Sequence, residues 1–501
     1  MAAESRTEMQ ELRIIENELM MLAQLSSLMH WDLETQIPSG GVPRRAEQLS
    51  YLSGLMHKKT VDPRVGELLE KASSLGDLDE RQKSWLRVLR RDYEQATKLP
   101  QKHVEEVSRV TSLANHAWVQ ARSDNDFAAF APHLERIVQL NRDAAGYLGY
   151  SSHPYDALLD QYEQGMTVEL LDEVFPPLQK QLTELTAAIA QAKAPRNDFL
   201  FRDYPAAGQE VFSRKVAADI GFDFNRGFLA RSAHPFTIEL SSDDIRITTR
   251  YEENYLPTAL FGVIHEVGHA MYEQGFPAEI ANTFLAGGTS LGIHESQSRF
   301  WENTIGRSRA FWQRYYPQLQ QQFSTQLADV DVEAFYRGIN VVQPSLIRVE
   351  ADEVTYGLHV ILRYELEKQL ISGTLAVRDL PEAWNDATQR LLGLRPDSDS
   401  NGVLQDVHWS HGSFGYFPTY VLGNMYAAQF SASLEAEKGP LDSMISAGDF
   451  GAILSWLRKS IHQWGRGKTP LELLQDVCGK GLDAQPFIDS LHAKYSEIYS
   501  L

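Results

Sequence analysis

Apolar residues recur at helical spacing through the first 150 residues of the chain. Leu12, Ile15, Leu19, Leu22 and Leu25 fall on one helical face, and Pro38-Ser39-Gly40-Gly41 ends that pattern. The spacing predicts successive amphipathic helices. Further punctuation at Ala194-Pro195-Arg196-Asn197 and Tyr204-Pro205-Ala206-Ala207-Gly208 reads as loops between helices rather than flexible linkers. No internal repeat or low-complexity tract is present, and the fold class implied is mostly α.

One segment leaves the helical period. Phe236, Ile238 and Leu240 alternate with Thr237 and Glu239, Ser241-Ser242-Asp243-Asp244 supplies turn chemistry, and Ile245 and Ile247 then alternate with Arg246 and Thr248. This predicts a small β-hairpin. The helical period resumes at Pro257, suited to a first turn because its missing N–H has no intrahelical partner there. It runs through Leu260, Phe261, Ile264, Val267 and Met271 to a stop at Gly275 and Pro277.

Composition narrows the function classes. A chain of 501 residues, 43% hydrophobic and 23% charged, can bury a sizeable core. Its net charge of −20, from 67 acidic and 47 basic residues, repels phosphate backbones and argues against a nucleic-acid partner. No apolar run reaches the roughly 18 residues of a membrane span. The N-terminus also lacks a basic segment followed by an apolar one, so the expected location is the cytoplasm, with no membrane partner. Cys478 is the only cysteine, which excludes an intrachain disulfide and a thiolate cluster, so a metal would have to use His, Asp or Glu.

The second helical stretch carries His265-Glu266-Val267-Gly268-His269. Four residues turn a helix by about 400°, so both imidazoles leave one face a turn apart and can share a cation. Glu266, about 100° round from His265, is set to meet water beside the cation rather than the cation itself. The ordinary alternative is a chance pair of histidines on a core helix, against which stands the apolar opposite face that the motif requires. A catalytic zinc site takes three protein ligands and keeps one position open. Glu273 shares the helix and cannot wrap round the ion. Among Glu279, Glu295 and Glu302, Glu295 is preferred because it follows the Ala286-Gly287-Gly288-Thr289-Ser290 turn, in a helical pattern with Phe300, Trp301 and Ile305. Spacing alone leaves Glu295 and Glu302 open.

Six motifs stand in order: His234-Pro235-Phe236, Asp244-Ile245-Arg246-Ile247-Thr248, the HEVGH helix, His294-Glu295-Ser296-Gln297, Ile347-Arg348-Val349-Glu350-Ala351-Asp352, and Gly402-Val403-Leu404-Gln405-Asp406-Val407-His408-Trp409. Between residues 230 and 420 the sequence resembles the M32 metallocarboxypeptidases, the group typified by thermostable bacterial carboxypeptidases. The resemblance implies a large helical metallopeptidase fold with a deep substrate groove and the small hairpin next to the metal helix. It implies Glu295 as third ligand beside His265 and His269, with one zinc ion per subunit and cobalt as an alternative. It implies a homodimer that removes C-terminal amino acids from peptides. Residues 1–501 then form a single catalytic unit: N-terminal helices 1–230 as groove wall or lid, 231–430 with the metal and substrate motifs, and C-terminal helices 431–501.

Hydrolysis at such a site leaves the proton transfers to Glu266 and requires donors for the oxyanion. The segment from His408 to Tyr420 is the densest donor cluster in the chain. Related helical zinc peptidases use a His and a Tyr there, so similarity nominates Tyr420 first, then His411, His408 and Tyr416, each with a buried aromatic or polar-tipped core role as the ordinary alternative. Arg348 is the leading candidate to grip the substrate carboxylate, because a guanidinium can do so with two parallel hydrogen bonds. Its structural alternative is an ion pair with Glu350 or Asp352. Tyr416, Arg246 and His234 complete the substrate-binding candidates, with a solvated strand position as the ordinary role of Arg246 and a turn cap as that of His234. A metal-binding histidine usually passes its other ring proton to a carboxylate. Asp406, Glu353 and Glu302 are unranked candidates for it, and His294 is either a similar support or a neighbour of the ligand.

The expected activity is a zinc carboxypeptidase of broad specificity. Competing readings are an oligopeptidase or dipeptidyl carboxypeptidase with the same chemistry and a differently closed groove, and a helical interaction protein carrying a relic metal site.

Overall fold

The structure, a computed structural model, describes residues 4–501. Nine α-helices precede the sheet: α1 (Glu4–Thr35), α2 (Val42–Thr60), α3 (Pro63–Ser73), α4 (Glu80–Lys98), α5 (Gln101–Asp124), α6 (Phe127–Leu148), α7 (Pro154–Tyr162), α8 (Val168–Gln191) and α9 (Ala206–Ile220). After it come α10 (Pro257–Glu273), α11 (Leu291–Arg299), α12 (Arg309–Gln322), α13 (Val332–Gly338), α14 (Tyr356–Ser372), α15 (Leu380–Leu392) and α16 (Pro418–Lys438). Four more close the chain: α17 (Leu441–Ala447), α18 (Phe450–Ser460), α19 (Pro470–Cys478) and α20 (Gln485–Tyr499). The mostly α class follows from the 3.6-residue apolar period that nearly every segment carries. Among the described residues, no helix is long and apolar enough to cross a membrane.

Two readings of local pattern are corrected. Ala206, Ala207 and Gly208 are not loop but the first turn of α9, because Pro205 at the N-cap starts the helix and Gln209 Nε2 donates back to the Tyr204 and Glu252 carbonyls. The hairpin is present as β2 (Thr237–Ser241) and β3 (Asp244–Thr249), yet it belongs to a three-stranded sheet of order β1-β3-β2. The added strand, β1 (Gly227–Arg231), pairs parallel to β3 from Gly227↔Ile245 to Arg231↔Thr249. Only Leu229 of its five residues is buried, so β1 carries no clear alternation, and its partner is distant in sequence.

The sheet lies on the HEVGH helix. Ile245 and Ile247 of β3 are fully buried. Thr237 of β2 reaches α10, where its hydroxyl donates to the Glu266 carboxylate at 2.7 Å. On the other side α10 meets α11, and α11 meets α16, at contacts that only glycine permits. A Cβ at Gly268 would lie 2.6 Å from both the Gln297 carbonyl oxygen and Ser298 Cα, and one at Gly423 would lie 2.5 Å from Glu295 Cγ. These approaches bring the Glu295 backbone within side-chain reach of the two histidines.

Gly268→Ala would wedge α10 and α11 apart against backbone atoms that cannot rotate away. Its expected cost is about 1–3 kcal/mol, read as a lower urea midpoint than wild type.

Candidate metal and catalytic centre

His265, Glu266 and His269 project from α10 as the helical spacing requires. Glu295 comes from α11, whose N-cap is Ser290: its Oγ accepts from the Ile293 N–H at 3.0 Å. The Nε2 atoms of His265 and His269 face Glu295 Oε2 at 3.7 and 3.4 Å. Ligand atoms of this triad lie within 4.8 Å of one another, and donors about 2.0–2.1 Å from a tetrahedral cation would stand roughly 3.3 Å apart. The three side chains fit a single divalent ion.

Contacts behind the triad support that fit. Glu302, on the π-helical turn Phe300–Gly306 that continues α11, accepts from His265 Nδ1 at 2.9 Å. His269 Nδ1 meets His294 Nδ1 at 2.6 Å, and His294 Nε2 meets Glu273 Oε1 at 2.7 Å. One tautomer pattern satisfies every pair: His265 and His269 protonated on Nδ1, His294 on Nε2. Both Nε2 lone pairs are then free for a cation. Of the three acids unranked in the sequence, Glu302 is the one beside a histidine of the triad. Asp406 pairs with arginines, and Glu353 with Lys494 and Tyr495.

Burial disfavours an ionised Glu295, but Arg299, at 2.7 Å, and the two imidazoles hold its carboxyl well below the usual range. Burial opposes a charge on His265 as well, yet Glu295 and Glu302 outweigh it and raise the imidazole pKa. Burial pushes His269 down to about 3, leaving it neutral. Burial also raises the Glu266 carboxyl, with Glu295 adding to the effect, which moves it toward the range of a general base.

Beyond Glu295 lies the second half of the site. The Arg299 guanidinium stacks on Tyr356, and Tyr356 stands edge-on to Tyr420. Tyr420 OH is 3.3 Å from His408 Nε2, and the Tyr416 ring packs on both. Burial keeps His408 near 4 and therefore neutral, and raises Tyr420 so that its phenol stays protonated. His411, by contrast, is exposed at the end of the short turn His408–His411. Arg348 is 5% exposed and pairs with neither Glu350 nor Asp352. Its Nε and Nη2 donate to Asp406 Oδ1 at 3.1 and 2.8 Å, and Nη1 donates to Tyr356 OH at 3.2 Å. Arg246 is held by Asp244 at 2.8 and 2.7 Å, with its guanidinium over Trp31. His234 is exposed in the β1–β2 connection. Among the described residues, neither bonds to the triad.

The sequence profile of the family described as carboxypeptidase Taq (M32) metallopeptidase matches residues 11–495. The chain belongs to the M32 metallocarboxypeptidase family. Thermostable carboxypeptidase 1 of Thermus thermophilus is 42% identical over 508 residues, 98% of each chain. Carboxypeptidase 1 of Bacillus subtilis is 41% identical over 477 residues, 95% of each. The crystal structure of the M32 carboxypeptidase from Deinococcus radiodurans R1 superposes with a TM-score of 0.97 at 42% identity, over 99% of this chain and 100% of that one. This metallocarboxypeptidase is thus a peptide hydrolase, and its family implies a divalent metal.

Several residues packed around this centre escape sequence reasoning. Arg363, on α14, is fully buried and shares Asp406 with Arg348: Nε donates to Oδ2 at 2.7 Å. Gln405 Oε1 accepts from the Arg348 N–H and from Arg363 Nη2, which locks the IRVEAD and GVLQDVHW motifs together. The signal was available in those adjacent Gln and Asp residues, although nothing local pointed to Arg363. Glu367, one turn further along α14, accepts from Tyr155 OH at 2.5 Å, Trp409 Nε1 at 2.7 Å and the Gly415 N–H at 2.9 Å, pinning the segment that carries His408.

Burial pushes the Glu367 carboxyl up to about 7, its three donors and Arg363 only partly opposing this. A raised carboxyl favours folding while protonated. Its contribution is full below the unfolded value near 4.5 and is lost as pH rises toward 7, on the order of 3 kcal/mol over that window. Glu367→Gln removes the titration. Urea unfolding between pH 4.5 and 7.5 should therefore show a flatter stability profile for the variant than for wild type.

Proposed function

We propose that this protein is a zinc-dependent carboxypeptidase of broad specificity that removes single amino acids from the free C-terminus of peptides. The observation that carries the reading is the convergence of His265 Nε2, His269 Nε2 and a Glu295 oxygen within 4.8 Å, with the Glu266 carboxyl on the next position of the same helix. A bound zinc ion would supply Lewis acidity, polarising the scissile carbonyl and lowering the pKa of water; the same donors accept cobalt.

The chain supplies the rest. Glu266, oriented by Thr237 Oγ1, takes the proton of the attacking water and hands it to the leaving amine. Tyr420, a protonated phenol beside neutral His408, donates to the oxygen on which negative charge develops. Arg348 meets the substrate carboxylate. A guanidinium has five N–H donors, of which Asp406 and Tyr356 occupy three, so two remain for a ligand. Arg348 and Arg363 against the single Asp406 also leave one positive charge in that pocket. Tyr416 walls the same space, and Arg246, His234 and His411 are carried as further candidates in this reading. The single catalytic unit over 1–501, with helices 1–230 as groove wall or lid, the homodimer and the cytoplasmic location belong to the same proposal.

Product analysis on an N-blocked peptide is the test. Wild-type enzyme should release amino acids one at a time from the C-terminus, and internal fragments or dipeptides would contradict the assignment. Glu266→Gln should lower kcat by about 100-fold or more while metal content is unchanged. Arg348→Ala should reduce kcat/KM on free-acid substrates far more than on their C-terminal amides.

A further inference from the structure

The α7 helix, far from the metal motifs in sequence, packs against the half of the site that carries His408 and Tyr416. Tyr155 bonds Glu367, which holds the His408 segment, and the Tyr162 ring packs edge-on against Tyr416. The next residue, Glu163, is fully buried and has no cationic partner among the described residues. Its carboxylate accepts three hydrogen bonds: Oε1 from Ser290 Oγ and from Tyr426 OH, Oε2 from the Gly292 N–H, each at 2.9 Å. Ser290 is the N-cap of α11, Gly292 is in its first turn, and Tyr426 is on α16 three residues after Gly423. A Cβ at Gly292 would lie 2.5 Å from Glu163 Oε2, so the carboxylate sits directly on the helix backbone.

Glu295 lies three residues on, about 4.5 Å along the helix axis. Metal–ligand distances tolerate only about ±0.2 Å, so a slide or rotation of α11 that is harmless to packing would remove Glu295 from the triad. We propose that Glu163 is a positioning residue for the metal centre, a buried carboxyl whose hydrogen bonds to Ser290, Gly292 and Tyr426 fix the height and rotation of α11 so that Glu295 meets His265 and His269. This rests on the reading that those three side chains hold the ion.

The test is the zinc dissociation constant of the full-length protein, measured by chelator competition with zinc alone, for wild type, Glu163→Ala, Glu163→Gln and Glu367→Gln. Glu163→Ala should bind zinc about tenfold or more weakly, in the range of lost outer-shell support, while Glu367→Gln, which loosens the other half of the site, stays within about twofold of wild type. A cooperatively folded Glu163→Ala with a constant within about twofold of wild type would overturn the assignment, and so would an equal loss in Glu367→Gln. Should Glu163→Ala fail to fold, Glu163→Gln keeps the shape and forfeits an acceptor; weakening of about threefold or more supports the assignment and a constant within about twofold overturns it. Wild-type protein that takes up no stoichiometric zinc would instead overturn the underlying metal reading.

Discussion

Everything at this site depends on closing the distance between two helices that carry like-charged or neutral ligands. The α10 and α11 backbones approach until only glycine fits at Gly268, and α16 presses on Glu295 through Gly423. That packing buries Glu266, Glu295 and Glu302, of which Glu295 and Glu302 pair with Arg299 and Arg307. An unpaired charge is costly to bury. Glu295 and Glu302 raise the His265 pKa against the effect of burial, and the three side chains present donors to one divalent cation.

The second half of the centre follows another logic. Arg348 and Arg363 are both buried, and Asp406 is their shared counter-ion. Asp406 stays well below the usual carboxylate range: the two guanidiniums overcome the effect of burial. Such a trio fixes Arg348 in one orientation and leaves excess positive charge at a place lined by Tyr356 and Tyr420. Rigid donors aimed at a fixed point favour recognition of a planar anion over a flexible surface contact.

Much of this was legible in the chain. The HEVGH spacing, Pro257 at the first turn and the Gly275 and Pro277 stop located α10, and residue alternation located β2 and β3. What sequence could not rank was Glu295 against Glu302. They are seven residues apart on one continuous helix, so both face α10, and only the crossing of the helices decides that one meets Nε2 and the other Nδ1. Long-range partners were equally out of reach. Asp406 on Arg348, Glu163 on α11 and β1 beside β3 are pairings between distant segments, and no local period encodes them. The Ala206–Gly208 turn was misread because a proline followed by small residues punctuates a loop and starts a helix equally well.

The most direct test is anomalous diffraction at the zinc edge from crystals grown with the ion. One ion should appear per chain, about 2.0–2.2 Å from Nε2 of His265, Nε2 of His269 and a carboxylate oxygen of Glu295. An ion bound elsewhere, or Glu295 turned away toward Arg299 with a different side chain in its place, would contradict the account.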